Sequence, residues 1–289
     1  MIIFVLLVIS FTMLYPLYFT IIASLSDPTE THLGNTFFFI KGFTLEAYHN
    51  VFINDGIWTG YLNSIFITAV GTITALVITI PAAYVLSRNQ FKGRNALMIF
   101  FMITMFFSGG LIPSYLVMQS LGLVNTYAVL ILGSGFSVFN MIIARTFYQS
   151  NFPTEVYEAA KIDGCSELGI FVKMALPLSG AIIAVIGLYV AVGHWNSYFG
   201  ALIYLSDKDK WPLQIVLRNI LIMNQQMTID PASLQAASED ELALMARRTR
   251  MAESMKYSLI FIASLPMLIA YPFVQKYFVK GVLIGSIKG

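Results

Sequence analysis

The sequence predicts an all-α integral membrane protein with six transmembrane helices and a cytoplasmic loop that contains a short helix. Three observations support this fold class. Of the 289 residues, 57% are hydrophobic and only 11% are charged, whereas a soluble domain carries about 25% charged residues. Charge-free runs recur at lengths near the roughly 20 residues that a membrane-spanning helix needs. No ten-residue stretch alternates between apolar and polar residues, as the strands of a membrane barrel would.

Runs without Asp, Glu, Lys or Arg mark the helices, and each run is counted as one span. The run 95–144 is long enough for two spans, and the polar residues and Gly122 within 119–125 permit a turn between them. Such runs must be helical because lipid cannot hydrogen-bond the backbone. The predicted helices cover approximately residues 3–25, 59–86, 96–118, 126–148, 177–204 and 257–279.

The first apolar run is expected to be a retained helix and not a signal peptide. It has no basic n-region, and its apolar stretch is longer than a signal-peptide h-region. The missing basic arm leaves open a native start upstream of Met1. We expect the whole chain, 1–289, to form a single transmembrane domain.

Lysine and arginine residues predict the orientation in the membrane. Nine of them lie on one side, in the segment 87–94, the loop 149–176 with its flanks, and the C-terminal tail, whereas the opposite short loops hold only Lys41. The long loop 205–256 holds seven, spread along its length. Because basic residues in short loops favour the cytoplasm, we expect cytoplasmic termini, a cytoplasmic loop 149–176 and extracellular loops 26–58 and 205–256.

Composition and motifs exclude several classes of protein. So few charges exclude a soluble enzyme, a nucleic-acid binder and a disordered chain. The single cysteine, Cys165, excludes an internal disulfide framework, and His32, His49 and His194 are too scattered for us to expect a metal site. No phosphate-binding loop motif occurs, and no acidic or basic residue stands deep inside a span to couple ions. Any energy for transport must therefore come from a partner.

The loop between the fourth and fifth predicted helices indicates a helix, a turn and a second helix. Thr154, directly after Pro153, is expected to cap the first helix. Gly164 can adopt a positive φ and end that helix. Ser166 is expected to cap the second helix, and Pro177 is expected to open the fifth span.

This loop offers groups that suit contact with another protein. Ala159 and Ala160 are small enough for another backbone to approach closely, and Glu158 and Asp163 are available to a basic partner. From these residues alone, an ordinary amphipathic connector remains an equally simple interpretation.

The spacing in this loop resembles a known family motif. Glu158-Ala159-Ala160, three residues, Gly164, nine residues and then Met174-x-Leu176-Pro177 is similar to the EAA loop of ABC importer permeases. The one departure is Met174 in place of isoleucine, which is an apolar substitution of similar volume. The resemblance implies that Glu158, Ala159, Ala160, Asp163 and Gly164 form the contact with an ATPase.

Other segments resemble sugar permeases in particular. The stretch 193–199 looks like their Trp-Asn segment, and Asn63-Ser64 recurs in them near the start of the second helix. The tail 271–289 is similar to the end of the maltose-type second permease subunit, and most of all to permeases for complex and uronate-containing oligosaccharides. The resemblance implies a heterodimer with a second six-helix permease, two cytoplasmic ATPase subunits that bind ATP and magnesium, an extracellular or periplasmic sugar-binding protein, and a bacterial cell membrane. It implies no cofactor in this chain and no nucleic-acid partner.

Amides and aromatic rings are the groups that bind sugar hydroxyls and sugar faces. The candidate contacts along the translocation pathway are therefore Asn63, Asn140, Trp195, Asn196 and Tyr198. A polar contact between helices is the alternative for each of them.

Several alternatives stay open. The loop 206–256 either contacts a binding protein or packs a predicted helix, Glu239–Lys256, on the last span, and the tail Val279–Gly289 either docks between ATPase subunits or is frayed. Three other functions remain: a permease for a non-sugar solute, an ion-coupled secondary carrier, and an intramembrane enzyme that uses Ser134.

Overall fold

The computed structural model describes residues 1–226, 250, 255–272 and 275. Regular structure within these ranges is helical, which confirms the all-α fold class. The helices in chain order are α1 (Ile2–Leu25), α2 (Pro28–His32), α3 (Glu46–Phe52), α4 (Asp55–Ser87), α5 (Arg94–Phe106), α6 (Leu111–Ser120), α7 (Tyr127–Gly133), α8 (Val138–Asn151), α9 (Thr154–Ile162), α10 (Glu167–Leu178), α11 (Gly180–Asn196), α12 (Phe199–Tyr204), α13 (Leu213–Gln226) and α14 (Met255–Pro272).

Three of these helices, α1, α4 and α14, are each long and apolar enough to cross a membrane. Three further pairs reach that length only together and are sharply bent where they join: α5 with α6, α7 with α8, and α10 with α11. The described part of the chain therefore holds three to six spans, and the predicted six require that each bent pair forms one span. The predicted helix Glu239–Lys256 and the tail Val279–Gly289 lie almost entirely outside the described residues.

The third and fourth predicted helices are wrong as continuous rods. Between α5 and α6 the axis turns by 115°, where Gly109 and Gly110 interrupt the apolar run and Gly110 has a φ of 86°, a conformation that glycine adopts without strain. Between α7 and α8 the axis turns by 48°, and Ser137 caps the new helix by accepting a hydrogen bond from the backbone N–H of Asn140.

The predicted start of the fifth helix at Pro177 is also wrong. Helical structure begins at Glu167, contains a π-helical turn at Phe171–Ala175 and continues to Leu178. The axis then turns by 77° into α11. Pro177 cannot donate a backbone hydrogen bond, and the hydroxyl of Ser179 donates to the Ala175 carbonyl oxygen at 2.5 Å, so the chain bends just after the proline. The predicted end at 204 falls in a separate helix, α12.

The described residues divide into two compact units. The first combines Met1–Leu62 with the described residues 211–226, 250 and 255–268. Within it, the ring of Phe19 on α1 meets the ring of Tyr257 on α14 edge to face, with 5.6 Å between centroids. Gly60 lies so close to α13 that an added Cβ atom would be 3.2 Å from the Cα of Leu213. The ring contact thus joins α1 to α14, and the absence of a side chain at Gly60 allows α4 and α13 to pack closely.

The second unit combines Asn63–Lys210 with the described residues 269–272 and 275. Its apolar core collects buried residues from α4, α5, α8, α9, α10 and α11. The hydroxyl of Ser179 bonds the buried hydroxyl of Tyr148 at 2.7 Å, so the bend after α10 is fixed to α8. The core therefore holds the predicted contact loop against α4, α5, α8 and α11.

Candidate functional site

The short helix α9 carries the motif residues, and its C-terminus is closed as predicted. Gly164 has a φ of 78°, its N–H donates to the Lys161 carbonyl at 3.0 Å, and the Cys165 N–H donates to the Ala160 carbonyl at 3.0 Å. This paired closure satisfies carbonyls that the helix end would leave free. The prediction for the N-terminus is wrong: Thr154 is the first helical residue, and Pro153 occupies the cap position without a side-chain hydrogen bond.

Helix α9 has one face inside the protein and one face outside. Tyr157 and Ala160 are buried in the core of the second unit, and Ala160 is only 1% exposed. The small Ala160 side chain therefore serves internal packing, whereas Glu158, Ala159 and Asp163 remain on the surface. The five motif residues thus lie together, but only part of the set is displayed to a partner.

Ile162 also belongs to the exposed face, and the sequence reading missed it. Its side chain is 87% exposed, and it shares a helix face with Glu155, Glu158 and Ala159 at spacings of seven, four and three residues. The signal was a large apolar residue at the end of a helix face that carries two glutamates. The face therefore combines two carboxylates with one large apolar side chain.

The second helix of the loop is tied back to α9 by Glu167. The prediction that Ser166 caps this helix is confirmed, since its hydroxyl accepts from the Gly169 N–H at 3.1 Å. The Glu167 carboxylate accepts a hydrogen bond from the Tyr157 hydroxyl at 2.6 Å and pairs with the Lys161 ammonium at 2.8 Å. The hydrogen bond from Lys161 has the largest effect and the one from Tyr157 the next, and together they lower the pKa of Glu167 below its ordinary value. The Glu167 carboxylate is therefore ionised at neutral pH.

Arg88, directly after α4, links that helix to α9. Its guanidinium carbon lies 4.5 Å from the ring centroids of Tyr84 and Phe152 and 5.2 Å from that of Tyr157. We call Tyr84, Phe152, Tyr157 and Arg88 the arginine cage. Cation–π attraction of this kind contributes about 0.5–2 kcal/mol per ring, more where water is excluded. The cage joins the end of α4, the end of α8 and the buried face of α9.

Among the candidate pathway residues, Asn63 has its amide engaged within the second unit. Its Oδ1 accepts from the Tyr127 hydroxyl at 2.9 Å, and its Nδ2 donates to the Asp209 carbonyl at 2.8 Å. Nearby, Asn125 adopts a φ of 61°, and its Oδ1 accepts from the backbone N–H groups of Ser206 and Asp207. Asn63 therefore fastens the loop at Asp209 to α4, and Asn125 joins the loop after α6 to the loop after α12.

The other pathway candidates differ in exposure. Trp195 is buried, with 3% of its surface exposed, whereas Asn196, the last residue of α11, and Tyr198, two residues beyond it, lie on the surface. Asn140 is half-buried in the first turn of α8. Within the described ranges, no three His, Cys, Asp or Glu side chains lie close enough together to hold a metal ion.

Comparison with known proteins assigns the chain. Residues 55–284 match the model of the family described as "Binding-protein-dependent transport system inner membrane component". Protein LplC of Bacillus subtilis strain 168 is 46% identical over 266 residues, which are 91% of this chain and 86% of that protein. The polygalacturonan/rhamnogalacturonan transport system permease protein YtcP of the same organism is 43% identical over 247 residues, covering 86% of this chain and 82% of YtcP.

A solved structure shares the fold. It is a bacterial ABC transporter involved in the import of the acidic polysaccharide alginate, and one of its chains superposes with a TM-score of 0.82 at 30% identity, covering 95% of this chain and 94% of that chain. The membrane-spanning lengths of α1, α4 and α14 agree with these matches. The chain therefore belongs to the family of binding-protein-dependent transport system inner membrane components, and it is a permease subunit and not an enzyme.

Proposed function

We propose that this chain forms half of the translocation pathway of an ATP-driven importer for acidic, uronate-containing oligosaccharides. Transporters of this family combine permeases with an ATPase and a binding protein. In the proposed assembly, this chain pairs with a second six-helix permease, two ATPases that bind ATP and magnesium attach on the cytoplasmic side, and an extracellular sugar-binding protein delivers the substrate. Both termini and α9 face the cytoplasm.

The substrate class rests on the relatives. YtcP is named for polygalacturonan and rhamnogalacturonan, and the structural relative imports alginate, so two relatives act on polymers of acidic sugars. In the proposed pathway, Asn196 and Tyr198 contact sugar hydroxyls and sugar faces, because both lie on the surface at the end of α11. A permease for a non-sugar solute is the alternative that the substrate test below must exclude.

The coupling role is assigned to α9 because this helix has one buried face and one exposed face. The buried face packs into the core and the arginine cage, while Glu158 and Ile162 remain exposed. In the proposed mechanism, ATP-driven closure of the ATPase pushes on this exposed face, and α9 passes the displacement to α8 and α10. Charge-assisted hydrogen bonds from Glu158 to a basic partner side chain would contribute about 1.5–3 kcal/mol each.

Changing the charge of the exposed face tests this function. We expect Glu158→Lys and Ile162→Asp to abolish the ATP hydrolysis that sugar and binding protein stimulate, while the permease still inserts in the membrane. Glu46→Lys, an exposed charge reversal in the first unit, is the matched control and should keep activity. Coupled transport at the wild-type rate by both α9 variants would refute the role of this face.

The substrate class has its own measurement. Oligogalacturonides and alginate oligosaccharides should stimulate ATP hydrolysis by the reconstituted transporter, whereas neutral oligosaccharides of the same length and inorganic phosphate should not. Stimulation by neutral oligosaccharides alone would contradict the acidic substrate and leave the coupling role of α9 intact.

A further inference from the structure

We propose that the cavity beside Arg88 binds an anionic phospholipid from the membrane leaflet on the side of α9. The cavity has a volume of about 510 Å³ and lies between the end of α4 and the start of α10. Its described lining includes Pro81, Val85, Arg88, Glu167 and Leu168. The walls are mainly apolar, and one guanidinium is set among them.

The charge of the cavity favours an anion. The Glu167 carboxylate, which also lines the cavity, is already paired with the Lys161 ammonium at 2.8 Å, and Arg88 supplies the positive charge among the described lining residues. The Nε and Nη2 atoms of Arg88 have no hydrogen-bond partner within the described part of the chain. These two nitrogen atoms form one edge of the planar guanidinium, and such an edge binds two oxygen atoms of a phosphate side by side.

Both nitrogen atoms are covered in the conformation seen here, so a phosphate reaches them after a rotation of the Arg88 side chain. A second, polar cavity of about 160 Å³ is also lined by Arg88, together with Asn89, Gln149 and Thr154. Empty space therefore adjoins the Arg88 side chain in both cavities.

An exposed apolar track on α4 leads into the cavity and suits an acyl chain. Ile73, Val77 and Val85 are exposed, and Pro81 lies between the last two at the same spacing of four residues. Ile73 to Val85 spans about 18 Å at 1.5 Å per residue, close to the roughly 15 Å that one leaflet of a 30 Å hydrocarbon core occupies. The track therefore matches one acyl chain whose headgroup lies at Arg88.

The position at the end of α4 suits a lipid headgroup. The segment after α4 also contains Lys92 and Arg94, and basic residues next to a membrane helix attract anionic lipid. Leu168, at the rim of the cavity, is 71% exposed, so the cavity has an apolar edge toward the surroundings. A phospholipid would fill the apolar cavity, lie along the track and bind the guanidinium, whereas a free phosphate would bind only the guanidinium.

The test uses the assembled transporter in nanodiscs of phosphatidylcholine that contain a photoactivatable phosphatidylglycerol. We expect labelling in 81–91 and 167–171, and about a fivefold loss of labelling in Arg88→Gln, as for one basic contact to an anionic lipid. Leu168→Glu places a negative charge at the rim of the cavity without disturbing the core, and it should lower labelling as well. Lys41→Gln is the control because it removes an exposed basic residue that neither lines the cavity nor belongs to the segment after α4, and it should leave labelling unchanged.

Several results would overturn the proposal. Equal labelling by a photoactivatable phosphatidylcholine would show that the anionic headgroup is not recognised. Labelling that stays unchanged in both Arg88→Gln and Leu168→Glu would show that the cavity is not the binding site. Competition by millimolar inorganic phosphate would assign the site to a free anion. Because labelling needs neither sugar nor ATP hydrolysis, failure here is distinguishable from failure of the proposed transport function.

Discussion

The imidazole of His194 on α11 lies directly against the backbone of Gly71 on α4. A Cβ atom added to Gly71 would be 2.5 Å from Nε2 and 2.7 Å from Cε1 of that ring, and real Cβ atoms do not come this close. The missing side chain is therefore what allows the two helices to enclose a buried histidine. His194 acts here as a packing group.

Gly71→Ala should destabilise the protein by about 1–3 kcal/mol, because the added methyl group overpacks the contact with His194. Thermal unfolding of the purified transporter measures the effect. Gly187→Ala is the matched control, since its nearest neighbour would be Leu76 at an ordinary 3.6 Å. Adding His194→Ala to Gly71→Ala should restore part of the lost stability, and the absence of any rescue would contradict the assignment.

Gly164→Ala should cost about 1–2 kcal/mol through backbone strain alone, because Gly164 has a φ of 78° and no atom within 4 Å of an added Cβ. Gly180→Ala is the control, since it also meets no neighbour and has no positive φ. We expect Gly180→Ala to unfold at or above the wild-type temperature. Equal effects of the two variants would show that strain at Gly164 is not the cause.

Glu167→Gln should loosen the loop by up to about 1 kcal/mol, since both partners of its ion pair are largely solvent-exposed. Amide hydrogen exchange in α9 would then be about two- to fivefold faster. The pKa of Glu167 is lowered in the folded protein, so the tie contributes fully above the ordinary value of 4.5 and is lost as the pH falls through the folded value. The difference between variant and wild type should therefore vanish on acidification, and a difference that persists would refute the ionic tie.

Asn63→Ala should destabilise by about 1–2 kcal/mol, because it removes partners from the Tyr127 hydroxyl and the Asp209 carbonyl. Tyr127→Phe should cost less, since only one bond is lost. A double-mutant cycle on the unfolding temperature should show coupling between the two residues. Unchanged stability together with a raised KM for sugar would instead identify Asn63 as a substrate contact.

Hydropathy predicted where apolar helices lie but not where they bend. The run 95–144 is uniformly apolar, so a window average does not detect the 115° turn that Gly109 and Gly110 permit. In the same way, Pro177 marked a discontinuity correctly, but the turn follows Ser179, whose hydroxyl bonds depend on the position of Tyr148 on another helix. The sequence showed where helices are interrupted, but it did not show the direction that the chain takes after each interruption.

The residues of the candidate site also differ in how far their roles could be predicted from the sequence. Gly164 and Ser166 act through bonds to residues within five positions, so their roles were readable from spacing. The role of Arg88 depends on rings from α4, α8 and α9, and the burial of Ala160 depends on the core behind it. Such long-range contacts have no signature in a single sequence beyond the residue types themselves.

The arginine cage connects α9 directly to the end of α4, although the two are far apart along the chain. Along the backbone, a displacement of α9 reaches α4 only after passing through every helix between them. Through the contact between the Tyr157 ring and the Arg88 guanidinium, it would reach the end of α4 in one step. Under the proposed coupling, a push on the exposed face of α9 would therefore act at the same time on the helix that precedes the loop and on one far upstream, and several membrane helices would tilt together rather than in succession.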